Sequence, residues 1–576
     1  MSTSNETMSL PQRDKRQFIP EDFEVNTWSD MEVYAQDLLN RNIQSLEDLQ
    51  KLLLDSSEFD KITEEDARWR HVKTSVDTTD ETAKKRLEDY ILNLSAKYHE
   101  FYFAFSKKVV ECPFTAQLGP DYAIYIRGLN KEIEIFRPEN IEISQQESLL
   151  GNEYDSITGV MTIQLQDKEY AISQANAFMK STDRTLRQEV FEKIIEREYQ
   201  DKDKLSDLLE KLVVLRNKKA LNANYTNFRD YQFDALGRFD YTAADCKMFH
   251  ESIAKAVVPI LEDFDATRKA NLQYESLKPW DLEVDESNKK PLKPFETVDE
   301  FVSKTIDCLN RVDPFFGSRL DIMKEMNYLD LDARMGKANG GYNMTMPEMG
   351  VPFVFMNANM SETDIRVMTH EMGHAVHTFL SHPLLLNSFK SYPSEIAELA
   401  SMSMELFCME HWDVYYTNEE DKNAAKKRHL KGIFKTFTGV CIIDSLQHWM
   451  YENPTHTAAE REAKYLELSK KYTSSVVDWS GYEKYRSNSY QKVLHIYHVP
   501  FYYIEYAYAQ LGAIAMYKQY MENPTQAIAN YKKALSLGYT HSIGEVFAAA
   551  GIKFDFSEAY ITEMMQFLKA SYDKIK

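Results

Sequence analysis

The sequence predicts a mainly α-helical fold, on three observations. Glycine and proline, at 18 and 17 of 576 residues, are scarce, so few positions force the chain to turn. Glu, Lys, Leu, Ala and Met, which lose little on entering a helix, recur along the whole chain. Apolar residues return every three or four positions over long stretches and give way to alternation in only two short places.

In chain order, residues 1–20 read as a loose tail. From Trp28 to about Val110 the pattern is helical, with Val33, Leu38, Leu39, Ile43, Leu46 and Leu49 set among charges. Residues 80–108 read as one long amphipathic helix with Leu87, Tyr90, Ile91 and Leu94 on its apolar side, a packing stripe rather than a ligand site. Between Met161 and Leu165 the period becomes two. A polar turn, Gln166-Asp167-Lys168, precedes Glu169–Ile172, so a β-hairpin is expected near 160–172. Helix resumes after Ser181-Thr182-Asp183 and runs to about Ala223, and its charged stretch Arg184–Tyr199 reads as a solvated face laced with ion pairs. Residues 277–297, with Pro279, Pro291 and Pro294 among charges, read as a surface loop. A soft boundary near 190 separates an N-terminal helical domain, 1–190, from a C-terminal domain, 191–576. No Gly/Ser-rich or Pro-rich linker marks it, so two parts packed together are expected.

The net charge of −22 argues against a nucleic-acid partner, because phosphate backbones demand clustered Lys and Arg. Met1–Asp22 is polar and lacks an apolar signal core, and no run of 18 apolar residues occurs, so neither a secretory leader nor a membrane span is expected. The five cysteines are scattered without a CxxC pair. That argues against a disulfide framework or a cysteine zinc site and makes the reducing cytoplasm the expected compartment. Oligomeric state is not readable.

The second alternating region lies at Gly340-Gly341-Tyr342 to Met346 and Val351–Asn357, two short strand-like runs around Pro347-Glu348-Met349-Gly350. A hairpin here can add an extended peptide by its backbone, with Gly341, Tyr342, Phe353, Val354 and Phe355 as substrate contacts; the rival reading is a purely structural hairpin. Next comes Ser361-Glu362-Thr363-Asp364, a capping-box start signal, so a helix should begin near Glu362. It carries His370-Glu371-Met372-Gly373-His374. Histidines four apart share a helix face and can aim at one metal ion, while Glu371 projects about 100° round from His370 and can hold a water without ligating. A pair of core histidines is the plain alternative, and it requires a compensating polar network.

A catalytic zinc takes three protein ligands and keeps one position for water. The third candidate lies on the helix opened by Pro393-Ser394. Glu398 and Glu405 share a face there with Ser401, Glu395 is one turn earlier, and spacing does not choose between Glu395 and Glu398. His377 is the rival, but the longer spacing and turning glycine that would make it a ligand are absent. Near the C-terminus, His495 precedes Pro500-Phe501-Tyr502-Tyr503-Ile504-Glu505-Tyr506, a density of donors that fits either aromatic packing or stabilisation of an oxyanion.

Together, HEMGH at 370–374, Glu398-Leu399-Ala400-Ser401 with Glu405, His495 with Pro500–Tyr506, and the 340–342 and 352–353 segments resemble the zinc oligopeptidases of the thimet oligopeptidase and oligoendopeptidase F family. The bacterial oligoendopeptidase F branch is the closer. The resemblance is sharp over roughly 340–510 and diffuse elsewhere. It implies an almost wholly helical fold whose two halves enclose a deep substrate channel, with a small β-hairpin or sheet beside the zincin helix, and makes 191–576 the catalytic domain. It also implies one Zn²⁺ per chain held by His370, His374 and Glu398, with Glu371 as general base and acid. Glu405 would orient a ligand histidine, and His495, Tyr503 and Tyr506 would contact substrate and transition state. The His-to-Tyr spacing is one residue shorter than in the thimet branch, which leaves Tyr502 and Tyr503 open to exchange. The expected activity is endo-cleavage of short unstructured peptides. The competing readings are an exo-acting dipeptidyl carboxypeptidase and a non-catalytic, zinc-containing peptide-binding protein.

Overall fold

A computed structural model describes residues 10–286, 289 and 292–576. Residues 1–9 of the expected tail, and 287–288 and 290–291 of the expected loop, lie outside the described residues. Among the described residues the fold is mostly helical with two small sheets, and the chain divides into two compact units, each assembled from three separated stretches. Among the described residues no helix is long and apolar enough to cross a membrane.

The first unit comprises Met1–Glu134, Lys293–Lys422 and Gly512–Phe554. Its core forms where the Leu46–Val76 helix buries Leu49, Leu52 and Phe59 against Phe101 and Phe105 of the Ala96–Glu111 helix. Ser45 starts the first of these helices by accepting the Asp48 amide N–H. The expected single helix over 80–108 is interrupted: α-helix Glu81–Asp89 passes through a π-helical stretch, Tyr90–Ser95, into Ala96–Glu111. The wider π turn rotates the register. Leu94 points inward while Ile91, placed on the apolar side from its spacing, is 56% exposed.

Residues 10–20 are not a loose tail. The Arg16 guanidinium clasps Glu348, and the amides of Gln17, Phe18 and Ile19 all donate to the Glu58 carboxylate. Ile19 then enters the core.

Strands β3 (Leu329–Asp332), β4 (Tyr342–Met346) and β5 (Val351–Ala358) form a sheet of order β3-β5-β4, parallel on one side of β5 and antiparallel on the other. The central strand, Val-Pro-Phe-Val-Phe-Met-Asn-Ala, is an almost unbroken buried apolar run, as a strand covered on both faces must be. Phe353 and Phe355 pack with Val72 and Trp69 of the Leu46–Val76 helix. Strands β4 and β5 also pack on the Glu362–Ser381 helix, which follows directly in sequence.

The second unit comprises Ile135–Leu292, Asn423–Leu511 and Asp555–Lys576. Strands β1 (Thr162–Leu165) and β2 (Lys168–Ala171) make its hairpin, with Gln166 and Asp167 both at positive φ (50° and 62°), the backbone of a tight two-residue turn. Ile163 and Leu165 pack on Val190 and Ile194 of the Arg184–Gln200 helix and on Trp280.

Two expectations fail together here. Residues 277–286 are no surface loop: Leu277, Trp280 and Asp281 are buried. Nor is the 184–199 face wholly solvated, since Arg187 is buried and bonds Asp281 at 2.9 Å, with Arg184 holding the other carboxylate oxygen at 2.8 Å. The prolines and charges imitate a loop, and the buried ion pair joins residues 94 apart in sequence, which local pattern does not reveal.

Candidate active site

The Glu362–Ser381 helix starts where its capping box lies: Asp364 accepts the Ser361 amide at 2.8 Å and the Asn359 amide at 2.9 Å. The Ser394–Met409 helix crosses against it at Gly373. A Cβ there would sit 2.6 Å from the Ala400 carbonyl oxygen and against the Ser401 Cα, so only glycine allows this approach. That close crossing brings the third candidate ligand, the acidic Glu398, to the histidines.

His370 Nε2 lies 3.2 Å and His374 Nε2 3.9 Å from Glu398 Oε2, and ligand atoms of all three residues fall within 4.8 Å of one another. Two ligands on a tetrahedral zinc with bonds of about 2.0–2.1 Å stand roughly 3.4 Å apart, so two nitrogens and one carboxylate oxygen at this spacing suit that ion. Two of these three candidate ligand residues are also held from behind. His370 Nδ1–H donates to Glu405 Oε1 at 2.8 Å, and Ser401 Oγ–H donates to Glu398 Oε2 at 2.9 Å. Glu395 is buried on the same helix outside this group, and Tyr531 O–H ties the helix down by donating to the Ala400 carbonyl.

The charges are strongly perturbed in the metal-free protein. Burial drives the Glu371 carboxyl up to about 7, against the attraction of His370 and with help from Glu398 and Glu405. Burial lowers His374 to about 4. Burial also opposes charge on Glu398 and His370, yet their mutual hydrogen bond wins: Glu398 falls to about 2, while His370, which also bonds Glu405, rises well above its ordinary value. His377 stands apart. It is fully buried, stacked on Tyr392 with ring centres 3.5 Å apart, has no hydrogen-bond partner on either nitrogen, and is held neutral by burial.

Strand β4 reaches the same helix. Asn343 Nδ2–H donates to the Glu371 carbonyl at 3.0 Å, and Thr345 and Thr378 share a hydroxyl contact of 2.8 Å. Nothing in the sequence pattern marks Asn343, because its partner is a backbone carbonyl. Of the substrate contacts expected from the hairpin, Phe353, Val354 and Phe355 are buried in the strand that is paired on both edges, so none can receive an added strand. The edge strands are β3 and β4, and β4 is the one that reaches the Glu362–Ser381 helix. Tyr342 stacks on Phe355 with centroids 4.9 Å apart, and a Cβ on Gly341 would come within 3.2 Å of the Phe355 carbonyl oxygen, so this glycine serves the approach to β5.

In the second unit His495 has three tyrosine neighbours. Its ring centre lies 4.8 Å from Tyr503 and 6.0 Å from both Tyr502 and Tyr506. All four are half-buried. Arg238, which bonds Glu505 at 2.6 Å and the Phe501 carbonyl, fixes the start of the Tyr503–Glu522 helix that carries Tyr503 and Tyr506, while His495 lies on the short Leu494–His498 helix. Phe501 takes a left-handed φ of +68° just before the Tyr503–Glu522 helix.

The sequence profile of Peptidase family M3 matches residues 177–566, and that of the Peptidase M3 N-terminal domain matches residues 18–136. The chain belongs to peptidase family M3. Among curated relatives, an oligoendopeptidase F homolog of Mycoplasma genitalium is 22% identical over 505 residues, covering 79% of this chain and 80% of the relative. An oligoendopeptidase F homolog of Borreliella burgdorferi is 24% identical over 69% of each chain. The solved structure of PZ peptidase A with inhibitor 2 superposes with a TM-score of 0.88 at 24% identity, over 96% of this chain and 98% of that one, which establishes the common fold. The M3 chain described here is thus an oligoendopeptidase F-like metalloendopeptidase.

Proposed function

We propose that this M3 peptidase is zinc-dependent and hydrolyses internal bonds of short, unstructured peptides. The supporting observation is the set His370 Nε2, His374 Nε2 and Glu398 Oε2 at zinc-ligand spacing, with the buried Glu371 next to His370 in sequence. These three residues would hold the ion. When bound, zinc supplies Lewis acidity, lowering the pKa of water towards about 7 and polarising a carbonyl.

The chain's own residues do the rest. Glu371, whose carboxyl titrates near neutrality, takes a proton from the attacking water and returns it to the leaving amine. Glu405 holds the Nδ1 proton of His370, so that Nε2 is the nitrogen that would be free to hold a metal. His495 and Tyr506, with Tyr503 or Tyr502, supply donors for the oxyanion, each costing roughly 3–4 kcal/mol of barrier when removed. An extended peptide adds its backbone along β4, the edge strand tied to the Glu371 carbonyl through Asn343. Five free cysteines suit work in a reducing cytoplasm.

Glu371→Gln tests the mechanism. Zinc content should stay at the wild-type level while turnover of an internally quenched peptide is nearly abolished; wild-type turnover would overturn the role. Mass mapping of products from doubly blocked peptides tests internal cleavage, and full peptide binding without cleavage in zinc-replete protein would favour the binding-protein reading instead.

A further inference from the structure

We propose that Cys246, Asp444 and His448 form a second metal site, buried within the second unit and suited to a zinc-like divalent cation. Two long helices build it, Ala243–Asn271 and Glu419–Glu452. Each presents a pair of side chains four residues apart: Cys246 with His250 on the first, Asp444 with His448 on the second.

A thiol sulfur, a carboxylate oxygen and an imidazole nitrogen of Cys246, Asp444 and His448 all lie within 4.8 Å of one another. His448 Nε2 stands 3.3 Å from Asp444 Oδ2. Those two atoms are not hydrogen-bonded, and neither ring nitrogen of His448 has any hydrogen-bond partner. Asp444 Oδ1 has none either. Cys246 and Asp444 are 0% exposed and His448 is 2% exposed, so bulk water does not satisfy them. Buried polar groups left unpaired are rare in folded proteins. The 3.3 Å separation instead matches the roughly 3.4 Å expected of two light-atom ligands on one tetrahedral zinc.

The surroundings fit that use. His250 Nε2–H donates to Asp444 Oδ2 at 2.8 Å, and its Nδ1 meets the Ser445 hydroxyl at 3.0 Å, so a fixed imidazole orients the carboxylate from behind. Tyr508 O–H donates to Cys246 Sγ at 3.3 Å, a bond that strengthens when the sulfur is anionic. On binding, the Cys246 S–H bond breaks, the sulfur pair goes to the metal and the proton leaves to solvent. A divalent cation, one thiolate, one carboxylate and a neutral imidazole then sum to zero charge, which a dry interior tolerates. Full burial and protein-only ligands mark the site as structural, a pin between two helices.

Sulfur separates this site from the His370–His374–Glu398 group, which has none. Protein purified with zinc should contain two ions per chain by elemental analysis. His374→Ala should leave one, and Cys246→Ser should also leave one. Cobalt-substituted protein should show a near-ultraviolet thiolate-to-cobalt charge-transfer band that persists in His374→Ala, a measurement that does not require the Cys246 variant to fold. One ion per chain in the wild type, falling to zero in His374→Ala with no thiolate–cobalt band, would overturn the second site while leaving the first intact. Two ions, both unaffected by His374→Ala, would instead count against the zinc assignment at His370 and His374.

Discussion

His370 Nδ1–H donates to Glu405 Oε1 at 2.8 Å, joining the Glu362–Ser381 helix to the Ser394–Met409 helix behind the proposed ligand atoms. The bond keeps a proton on Nδ1 and leaves Nε2, which faces Glu398, as the nitrogen that must lose its proton to ligate. Partners of this kind contribute about 10–100-fold to metal affinity. Glu405→Ala should therefore weaken zinc binding by about that factor in a chelator-competition titration, and excess zinc should recover most of the lost turnover. Unchanged affinity would detach Glu405 from the metal.

Gly373 sets the distance between the same two helices. Gly373→Ala adds a Cβ that meets the Ala400 carbonyl oxygen and the Ser401 Cα, both backbone atoms that cannot swing aside. The helices must separate, which carries Glu398 away from the histidines. Overpacking of this kind costs about 1–3 kcal/mol, so a lower thermal midpoint and a reduced zinc content are expected together. A variant with normal zinc and normal stability would show that the crossing is not rigid.

How far the site was legible follows from sequence separation. His370, Glu371 and His374 are read from one helix turn, where spacing alone fixes a shared face. Glu398 against Glu395 was not readable in this way, because the choice depends on where a second helix crosses at Gly373. Mainly helical character and both hairpins were visible in periodicity. Strand β3 was not, since Leu-Asp-Leu-Asp is short and its partner β5 lies some twenty residues on. The paired edges of β5, which leave Phe353, Val354 and Phe355 no free backbone for an added strand, are equally a product of that long-range pairing. Cys246 and Asp444 are nearly two hundred residues apart, and neither helix pair signals anything alone.

Protonation and metal binding compete at His370. Burial disfavours its charge, but the bonds to Glu398 and Glu405 raise its pKa well above 6.5. A raised value means that this group stabilises the metal-free fold fully below pH 6.5 and ceases to do so as pH rises through the folded pKa. Glu398, lowered to about 2 from 4.5, stabilises above pH 4.5 and fails as pH falls through about 2. His374, near 4, is already neutral at pH 7. Zinc must therefore displace the His370 proton, and its apparent affinity should fall about tenfold per pH unit below that pKa. Calorimetry in buffers of different ionisation heat should register the released proton at pH 7. On raising the pH through the His370 pKa, the thermal midpoint of metal-free protein should drop relative to the zinc-loaded form; parallel curves would contradict the assignment.

Asp281 provides a stability test far from the chemistry. Its carboxylate, fully buried, holds Arg187 at 2.9 Å and Arg184 at 2.8 Å, but the Arg187 side chain is 0% exposed and that of Arg184 is 39% exposed. Arg187 also donates to the Trp280 and Ser181 carbonyls, so it cannot swing out to water when its counter-charge is lost. Removing one member of a buried pair costs about 3–5 kcal/mol, whereas a solvent-exposed pair is worth about 0–1. Asp281→Asn should thus lower the thermal midpoint markedly and expose the 277–286 segment to limited proteolysis. Arg184→Ala should do little, because Arg187 still neutralises the carboxylate. Equal effects of the two substitutions would mean that the Asp281 charge is balanced mainly from the solvent side.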